Sequence, residues 1–272
     1  MSIVKEEKNS FEKMNITKIK NSKNSRNLTM ITAYDALFAK LFEQIADMIL
    51  VGDSLNMSFA GKKDTLSATL EQMIYHTKAV CEGAPKAFVI LDMPFGTYNN
   101  KTEALTNAIK VYQDTTAAAI KIEGGQNKAE IIKHLTSNSI AVMGHIGLMP
   151  QYVRSEGGYK VRGKTKEDTK QLIKDAIAVE KAGAFALVIE GVKSEAAKQI
   201  SQAVSIPTIG IGAGNVTDGQ VLVWSDMLGL FEEFKPKFVR HYLNGATQVK
   251  NAVKQYKEDV QNRTFPNKEE EY

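Results

Sequence analysis

The chain has 272 residues, of which 43% are hydrophobic and 24% charged, and its formal net charge is +4. This composition is that of an ordinary globular protein, and it excludes collagen-like and low-complexity chains. The length suits one domain, because (β/α)8 barrels of about 250 residues fold as single domains. The whole charge excess lies in residues 1–26, so we expect a solvated tail or short helix there and no nucleic-acid partner.

The cysteine count and the hydropathy of the chain indicate the cellular compartment of the protein. Cys81 is the only cysteine, so an internal disulfide is impossible and no thiolate cluster can bind a metal. The N-terminal residues lack the apolar run of a signal peptide, and no stretch has about 18 consecutive apolar residues. We therefore expect a cytoplasmic protein with no membrane partner.

Short apolar runs alternate with amphipathic, helix-like segments from about residue 28 onward. This alternation is typical of parallel β–α units, and eight apolar runs match a closed (β/α)8 barrel. The predicted strands cover residues 28–35, 48–55, 87–94, 118–125, 140–148, 185–192, 206–214 and 221–228.

The rest of the chain divides around these strands. Helices are predicted over 69–84, 104–117 and 167–184, where apolar residues recur at spacings of three and four, and Gly83 and Gly183 suit helix ends. The glycine-rich polar stretch 149–167 is a long loop of the kind that is usually functional, and we expect a lid. The predicted organisation is a polar N-terminal segment over 1–27, a barrel over 28–260 and a polar tail over 261–272.

Five of the predicted strands end in polar residues, namely Asp53 and Ser54, Asp92, Lys121 and Glu123, His145, and Glu190. The carboxyl ends of barrel strands converge on one face, where the catalytic groups of such barrels lie. Because side chains alternate along a strand, Lys121 and Glu123 share a face, and we expect that face to point inward.

Carboxylates that end neighbouring strands, about 4.8 Å apart, could meet around one ion. An all-oxygen set without thiols favours Mg2+, which keeps open positions where a 2-oxo acid could chelate. Each residue also has a structural explanation: Asp53 as a helix cap, Asp92 in a turn, and Lys121 with Glu123 as a salt bridge. A histidine held by backbone groups explains His145 about as well as a role in a site does. Buried charges at five strand ends are costly without a ligand, so together they predict a site.

Seven strings occur in order along the chain: ITAYD, VGDSL, YHTKAV, IKIEGG, GHIGLMPQ, GGYKVRG and IPTIGIGAGNVTDGQ. From about Thr29 to about Tyr256 the chain therefore resembles the ketopantoate hydroxymethyltransferase family. The resemblance implies a (β/α)8 TIM barrel of the phosphoenolpyruvate/pyruvate-type superfamily and a homodecamer. It also implies an enzyme of pantothenate biosynthesis that transfers a hydroxymethyl group from methylenetetrahydrofolate, its co-substrate, to 3-methyl-2-oxobutanoate. The product is 2-dehydropantoate, formed through a metal-stabilised enolate.

The same resemblance implies roles for individual residues. Asp53 and Asp92 would bind one Mg2+ per subunit, with Glu123 as a third ligand, direct or through water. Asp53, Ser54, Asp92 and Lys121 would line the oxo-acid site. Glu190 would be the catalytic base, and His145 would support the substrate from beside it.

Two alternatives remain open from the residues. One is another metal-dependent barrel acting on 2-oxo acids, such as a carbon–carbon lyase or phosphonate mutase, although Cys81 lies on a predicted helix and not on a catalytic loop. The other is a non-catalytic barrel that serves as a binding protein, which would be favoured if the strand-end acids failed to bind a metal.

Overall fold

A computed structural model describes residues 13–232 and 235–272. The first twelve residues of the predicted N-terminal segment lie outside this range. The chain divides into two compact units, Met1–Val221 and Leu222–Tyr272. None of the helices in the described ranges is long and apolar enough to span a membrane.

A closed barrel of eight parallel strands, in chain order, occupies the described part of the chain. The strands β1 to β8 are Leu28–Thr32, Met48–Val51, Val89–Asp92, Ala119–Glu123, Val142–Gly147, Ala186–Glu190, Thr208–Ile211 and Gly219–Leu222. The barrel predicted from the alternation of apolar runs is confirmed, with shorter strands than the runs themselves.

Ten α-helices accompany these strands in the same described residues. The helices α1 to α10 are Ile16–Asn21, Ala36–Phe42, Leu55–Ser58, Leu70–Gly83, Lys101–Asp114, Ala129–Ser137, Lys166–Lys181, Ser194–Gln202, Trp224–Met227 and Gly245–Gln261. Side-chain caps begin two of the longer helices: Thr69 and Gln72 form a capping box on α4, and Thr165 accepts from Asp168 N on α7.

The two glycines predicted at helix ends lie there for different reasons. Gly183 follows α7 with a φ of +95°, a conformation that favours glycine. Gly83 is the last residue of α4, and a Cβ there would lie 2.2 Å from the Ala36 carbonyl oxygen. Gly83 therefore permits the close approach of α4 to the start of α2.

The helix α1 contributes to the core. Met14 and Ile19 belong to one buried cluster with barrel residues that include Met30, Phe88 and Ile209. The described part of the N-terminal segment is thus a short helix, one of the two forms expected, and its apolar side chains are buried in the barrel core.

The eighth predicted strand is wrong over most of its length. The prediction covered 221–228, but β8 ends at Leu222 and α9 spans Trp224–Met227. Met227 N and Leu228 N donate to the carbonyls of Val223 and Trp224, so this apolar run satisfies its backbone as a helical turn. Short apolar runs do not distinguish strand from helix, which explains the error.

Strand register places the polar strand ends together. Asp92 pairs in register with Lys121, and Glu123 pairs with His145. Glu190 is the register partner of Gly147, two residues after His145. The strand-end residues are therefore neighbours at one end of the barrel, as the sequence predicted.

Candidate active site

A buried ammonium lies at the centre of the strand-end cluster. Lys121 Nζ is 2.9 Å from Asp92 Oδ1 and 3.8 Å from Glu123 Oε1. Burial lowers the pKa of Lys121, but the carboxylates of Asp92, Glu123 and Asp53 outweigh it, and the net shift is upward. Lys121 therefore stays charged, and Lys121 and Glu123 share the inward face as predicted.

Three carboxyl groups surround this single ammonium. Asp53, which follows β2, donates its backbone N–H to Asp92 Oδ2 at 3.3 Å. Burial and repulsion from Asp92 and Glu123 raise the pKa of Asp53 well above its ordinary value. Burial is also the main cause that raises the pKa of Glu123 to about 8. The cluster carries more carboxyl groups than it has cations to neutralise them.

Gln151 ties these carboxylates to one another. Its side-chain Nε2 donates to Asp53 Oδ2 at 3.0 Å and to the Met93 carbonyl at 2.9 Å. Its backbone N–H donates to Glu123 Oε2 at 3.1 Å, and Tyr98 OH donates to its Oε1. The buried Gln151 thus holds two carboxylates, one from the segment after β2 and one from the end of β4, in fixed orientations.

His145 lies between Lys121 and Glu190. Lys121 Nζ is 3.0 Å from His145 Nδ1, so the ammonium donates there and the neutral imidazole carries its proton on Nε2. Nε2 in turn donates to the Leu148 carbonyl at 3.0 Å and lies 3.3 Å from Glu190 Oε2. Burial, reinforced by Lys121, lowers the pKa of His145 well below its ordinary value, which agrees with a neutral ring.

Glu190 is the carboxylate that faces the open mouth of the barrel. Its side chain is 21% exposed, whereas those of Asp92 and Glu123 are almost fully buried. Burial raises the pKa of Glu190 to about 7, with Lys121 opposing the shift and Asp92 adding to it. A carboxylate with this pKa can both accept and release a proton near neutral pH.

Ser54 lies at the edge of the cluster. Its hydroxyl is 2.9 Å from Tyr34 OH, and Ser58 Oγ donates to the Ser54 carbonyl at 3.2 Å. Ser54 precedes the short helix α3 without capping it through its side chain. Asp53 is not a helix cap either, so the structural alternative for that residue finds no support.

The arrangement of these residues meets some of the requirements of the predicted Mg2+ site and not others. In the described ranges, no three His, Cys, Asp or Glu side chains are grouped so as to hold a metal ion. Gln151 and Lys121 engage carboxylate oxygens that a cation would otherwise bind. The donor chemistry nevertheless fits a hard cation, since Asp53, Asp92 and Glu123 offer only oxygen. Glu123 Oε1 is moreover buried with no hydrogen bond from any described residue.

The loop after β5 is anchored at both ends. Gln151 enters the carboxylate cluster, and Arg162 donates its backbone N–H to the Gly191 carbonyl at 2.8 Å. The Arg162 guanidinium also binds Asp168 at the start of α7, at 2.7 Å. This loop therefore borders the site next to Glu190, and its movement as a lid stays a prediction.

Comparison with known proteins gives the family. The sequence profile described as ketopantoate hydroxymethyltransferase matches residues 13–268. This chain belongs to the ketopantoate hydroxymethyltransferase family. The family inferred from the ordered motifs is thereby confirmed, and with it the enzyme class, a hydroxymethyltransferase.

Relatives with the name 3-methyl-2-oxobutanoate hydroxymethyltransferase match almost the whole chain. The protein from Aliarcobacter butzleri is 78% identical over 100% of both chains. The one from Sulfurimonas denitrificans is 67% identical over 94% of this chain and 97% of its own. The one from Helicobacter pylori is 55% identical over 96% of this chain and 97% of its own.

Solved structures share the barrel of this ketopantoate hydroxymethyltransferase family member at low sequence identity. A 2,3-dimethylmalate lyase of the PEP mutase/isocitrate lyase superfamily aligns with a TM-score of 0.62 and 15% identity, over 90% of this chain and 88% of its own. Phosphonopyruvate hydrolase bound to oxalate and Mg++ aligns with a TM-score of 0.61 and 13% identity, over 94% and 93%. These likenesses show the fold alone. The family match argues against both alternatives left open by the residues, the lyase or mutase and the non-catalytic barrel.

Proposed function

We propose that this chain transfers a hydroxymethyl group from methylenetetrahydrofolate to 3-methyl-2-oxobutanoate, giving 2-dehydropantoate for pantothenate biosynthesis. Membership of the ketopantoate hydroxymethyltransferase family supports this reaction. The observation that carries the mechanism is Glu190, a partly exposed carboxylate with a pKa of about 7 beside a buried ammonium–carboxylate cluster.

The oxo acid is bound by Asp53, Ser54, Asp92 and Lys121. The Lys121 ammonium is positively charged and buried, so it can neutralise the substrate carboxylate inside the barrel. The Ser54 hydroxyl, held by Tyr34, offers a further hydrogen bond at the edge of the same site. This placement leaves C3 of the oxo acid toward the mouth, where Glu190 lies.

Asp53 and Asp92 would hold the Mg2+, one per subunit, with Glu123 as a direct or water-mediated third ligand. Their oxygen chemistry and the excess of buried carboxylates support this assignment. When bound, the cation polarises the keto group and lowers the cost of negative charge on its oxygen.

Glu190 removes the single hydrogen at C3 as a proton. The C3–H electron pair then spreads toward the keto oxygen, and the proton rests on the Glu190 carboxyl. His145 orients Glu190, since its Nε2 lies 3.3 Å from Glu190 Oε2. It cannot replace Glu190 as the base, because burial lowers the pKa of the imidazole. Glu190 is thus the base and His145 its positioning residue.

Carbon–carbon bond formation follows at the same face. The C3 electron pair attacks the methylene carbon of the folate in its open iminium form. Water then supplies the hydroxyl, the bond from the methylene carbon to the folate nitrogen breaks, and that nitrogen takes up the proton that the water gives up. The proton on Glu190 balances the one that the other folate nitrogen takes up when the ring opens to the iminium, so the carboxylate is restored. Water has to be limited until this step, and the loop 149–167 lies beside Glu190 where it could cover the site.

Exchange of the C3 hydrogen tests the proposal without folate. The protein is incubated in D2O with 3-methyl-2-oxobutanoate, with Mg2+ or with a chelator, and loss of the C3 proton is followed by NMR. We expect metal-dependent exchange that falls at least about 100-fold in Glu190→Gln, because general bases contribute about this much. Glu130→Gln, at an exposed glutamate, is the matched control.

The outcomes separate the possibilities. Unchanged exchange in Glu190→Gln would refute the role of Glu190 as base, and absence of exchange in the wild type would refute enolisation. The predicted domain boundaries, cytoplasmic location and homodecamer stay predictions that accompany this proposal.

A further inference from the structure

An open cleft of about 360 Å³ lies on the catalytic face of the barrel, and it is lined by Leu66, Ser67, Phe95, Gln151, Arg154 and Ser155. These residues occupy the segments that follow β2, β3 and β5, the strands that lead to Asp53, Asp92 and His145. Its size lies within the roughly 300–1,000 Å³ of small-molecule sites. The carboxylate cluster uses only Gln151 among these residues.

Gln151 connects the cleft to the carboxylates. One part of this buried residue lines the cleft, while its Nε2 donates to Asp53 Oδ2 at 3.0 Å. A molecule in the cleft is therefore separated from the proposed oxo-acid site by a single side chain. That is the position required of a second substrate that reacts with the first.

One wall of the cleft is held in place by a buried amide. Asn56 Nδ2 donates to the Asp64 carbonyl at 2.7 Å and to Ser67 Oγ at 2.9 Å. Asp64 Oδ1 accepts from Leu66 N at 3.1 Å, and its Oδ2 accepts from Arg154 Nη2 at 3.0 Å. The loop after α3 and the loop after β5 are thus joined into one preformed surface.

The chemistry of this surface suits a flat, anionic ligand. Phe95 lines the cleft and is 53% exposed as a residue, so its aromatic side chain is accessible to a ligand there. The Arg154 side chain is 76% exposed, so its remaining N–H donors are accessible to a carboxylate. Lys62 and Lys63 are also exposed and immediately precede Asp64, so this rim carries further positive charge.

We infer that the cleft binds the reduced folate, with its ring system against Phe95 and its glutamate carboxylates on Arg154. This inference rests on the proposed function, which requires a one-carbon donor next to the oxo acid. A folate combines flat rings with one or more glutamate carboxylates, and the cleft offers the aromatic side chain of Phe95 and the cationic side chain of Arg154 beside Gln151, which contacts the carboxylate cluster. The residues Phe95 and Arg154 therefore determine affinity for the one-carbon donor and not for the oxo acid.

The test uses Phe95→Ala and Arg154→Ala in the full-length protein. Steady-state kinetics give KM for methylenetetrahydrofolate and for 3-methyl-2-oxobutanoate separately, and calorimetry gives the affinity for 5-formyltetrahydrofolate. We expect each variant to raise the folate KM and the 5-formyltetrahydrofolate Kd by about tenfold, with the oxo-acid KM within about twofold of wild type. Tyr75→Ala and Lys101→Ala, at an exposed aromatic and an exposed ion-paired cation, are the matched controls and leave both KM values unchanged.

Each other result overturns the assignment in a recognisable way. Unchanged folate KM and Kd in both variants would exclude this cleft as the folate site. An equal rise in both KM values would indicate a general defect and would exclude a folate-specific role. If the wild type exchanges the C3 hydrogen but does not bind 5-formyltetrahydrofolate, the cleft assignment fails while enolisation stands. If the wild type binds the folate and both variants weaken that binding, but no C3 hydrogen exchanges, the enolisation step fails and the cleft stands.

Discussion

Gln151 Nε2 donates a hydrogen bond to Asp53 Oδ2 at 3.0 Å, and Gln151 N donates to Glu123 at 3.1 Å. Gln151, in the loop after β5, therefore aligns two carboxylates, that of Asp53 after β2 and that of Glu123 at the end of β4. We predict that Gln151→Ala lowers the affinity for Mn2+, used as a probe for Mg2+, by about tenfold, because loss of groups that orient metal ligands costs about this much. Titration of Mn2+ followed by electron paramagnetic resonance measures the change.

Gln171→Ala provides the comparison for this variant. Gln171 is exposed and bonds to Gln126 and Asp175, away from the carboxylate cluster, so Mn2+ affinity stays at the wild-type value. Tighter Mn2+ binding in Gln151→Ala would show that Gln151 competes with the cation for Asp53 and does not orient it.

The pKa of Glu190 predicts how C3 exchange depends on pH. Burial raises this pKa to about 7, and only the ionised carboxylate can accept the C3 proton. Exchange with saturating Mg2+ therefore rises with pH through about 7 and reaches a plateau above it, and at pH 5 it is about one-hundredth of the plateau. Rates measured by NMR from pH 5 to 9 check this, and equal rates at pH 5 and pH 8 would contradict it.

The buried ammonium of Lys121 leads to a prediction about stability. Lys121→Met leaves the carboxylates of Asp53, Asp92 and Glu123 without their cation, so we expect the free energy of unfolding to fall by about 3–5 kcal/mol at pH 8. Urea denaturation without added metal measures this change. Adding Asp92→Asn to the variant restores part of the loss, since one fewer unpaired carboxylate is buried. Additive losses in the double variant would argue against this coupling.

The buried Asp218 forms a partly buried ion pair with Lys23 Nζ at 2.8 Å, and it accepts from Thr208 N and Thr208 Oγ1, each at 2.8 Å. Burial raises the pKa of Asp218, but the hydrogen bonds from Lys23 and Thr208 outweigh it, and the net shift is downward. A carboxyl group whose pKa is lower in the folded state stabilises the fold at pH values above its ordinary pKa. This stabilisation is lost as the pH falls through the lowered pKa of the folded state. We predict that Asp218→Asn lowers the free energy of unfolding by about 3 kcal/mol at pH 7.

The pH dependence separates this pair from a simple packing effect. The difference between wild type and Asp218→Asn, measured by urea denaturation, shrinks below about pH 4 as the wild-type carboxyl is protonated. A difference that is constant from pH 7 to pH 3 would assign the loss to packing and not to the ion pair.

Much of the site follows from strand periodicity. Lys121 and Glu123 alternate with Ile120 and Ile122, and the inward face predicted from that pattern is the face on which Lys121 meets Asp92. The convergence of Asp53, Asp92, His145 and Glu190 follows from strand order and the shared end of a parallel barrel. These features depend on local pattern and on topology, which sequence reasoning can supply.

Contacts made by loop residues could not be predicted from strand periodicity and topology. Gln151, Tyr98 and Tyr34 lie outside the strands, and an amide or phenol in a polar loop has no periodic pattern to mark it. The signal available for Gln151 was its place in the string GHIGLMPQ, directly after a proline and four residues beyond the end of β5. The strand predicted around Trp224 was wrong for the opposite reason. Its apolar pattern is compatible with a strand and equally with the helical turn that the chain forms there.

The barrel closes where Leu28 N donates to the Asp218 carbonyl at 2.8 Å. Lys23 and Asp218, which pair beside this junction, are 195 positions apart in the chain. During synthesis the first strand therefore emerges long before its final neighbour, and one of its edges stays unpaired until almost the whole barrel sequence has left the ribosome. A nascent chain that stalls before Asp218 has an open sheet with two free edges, the form of a β-structure most prone to associate with other chains.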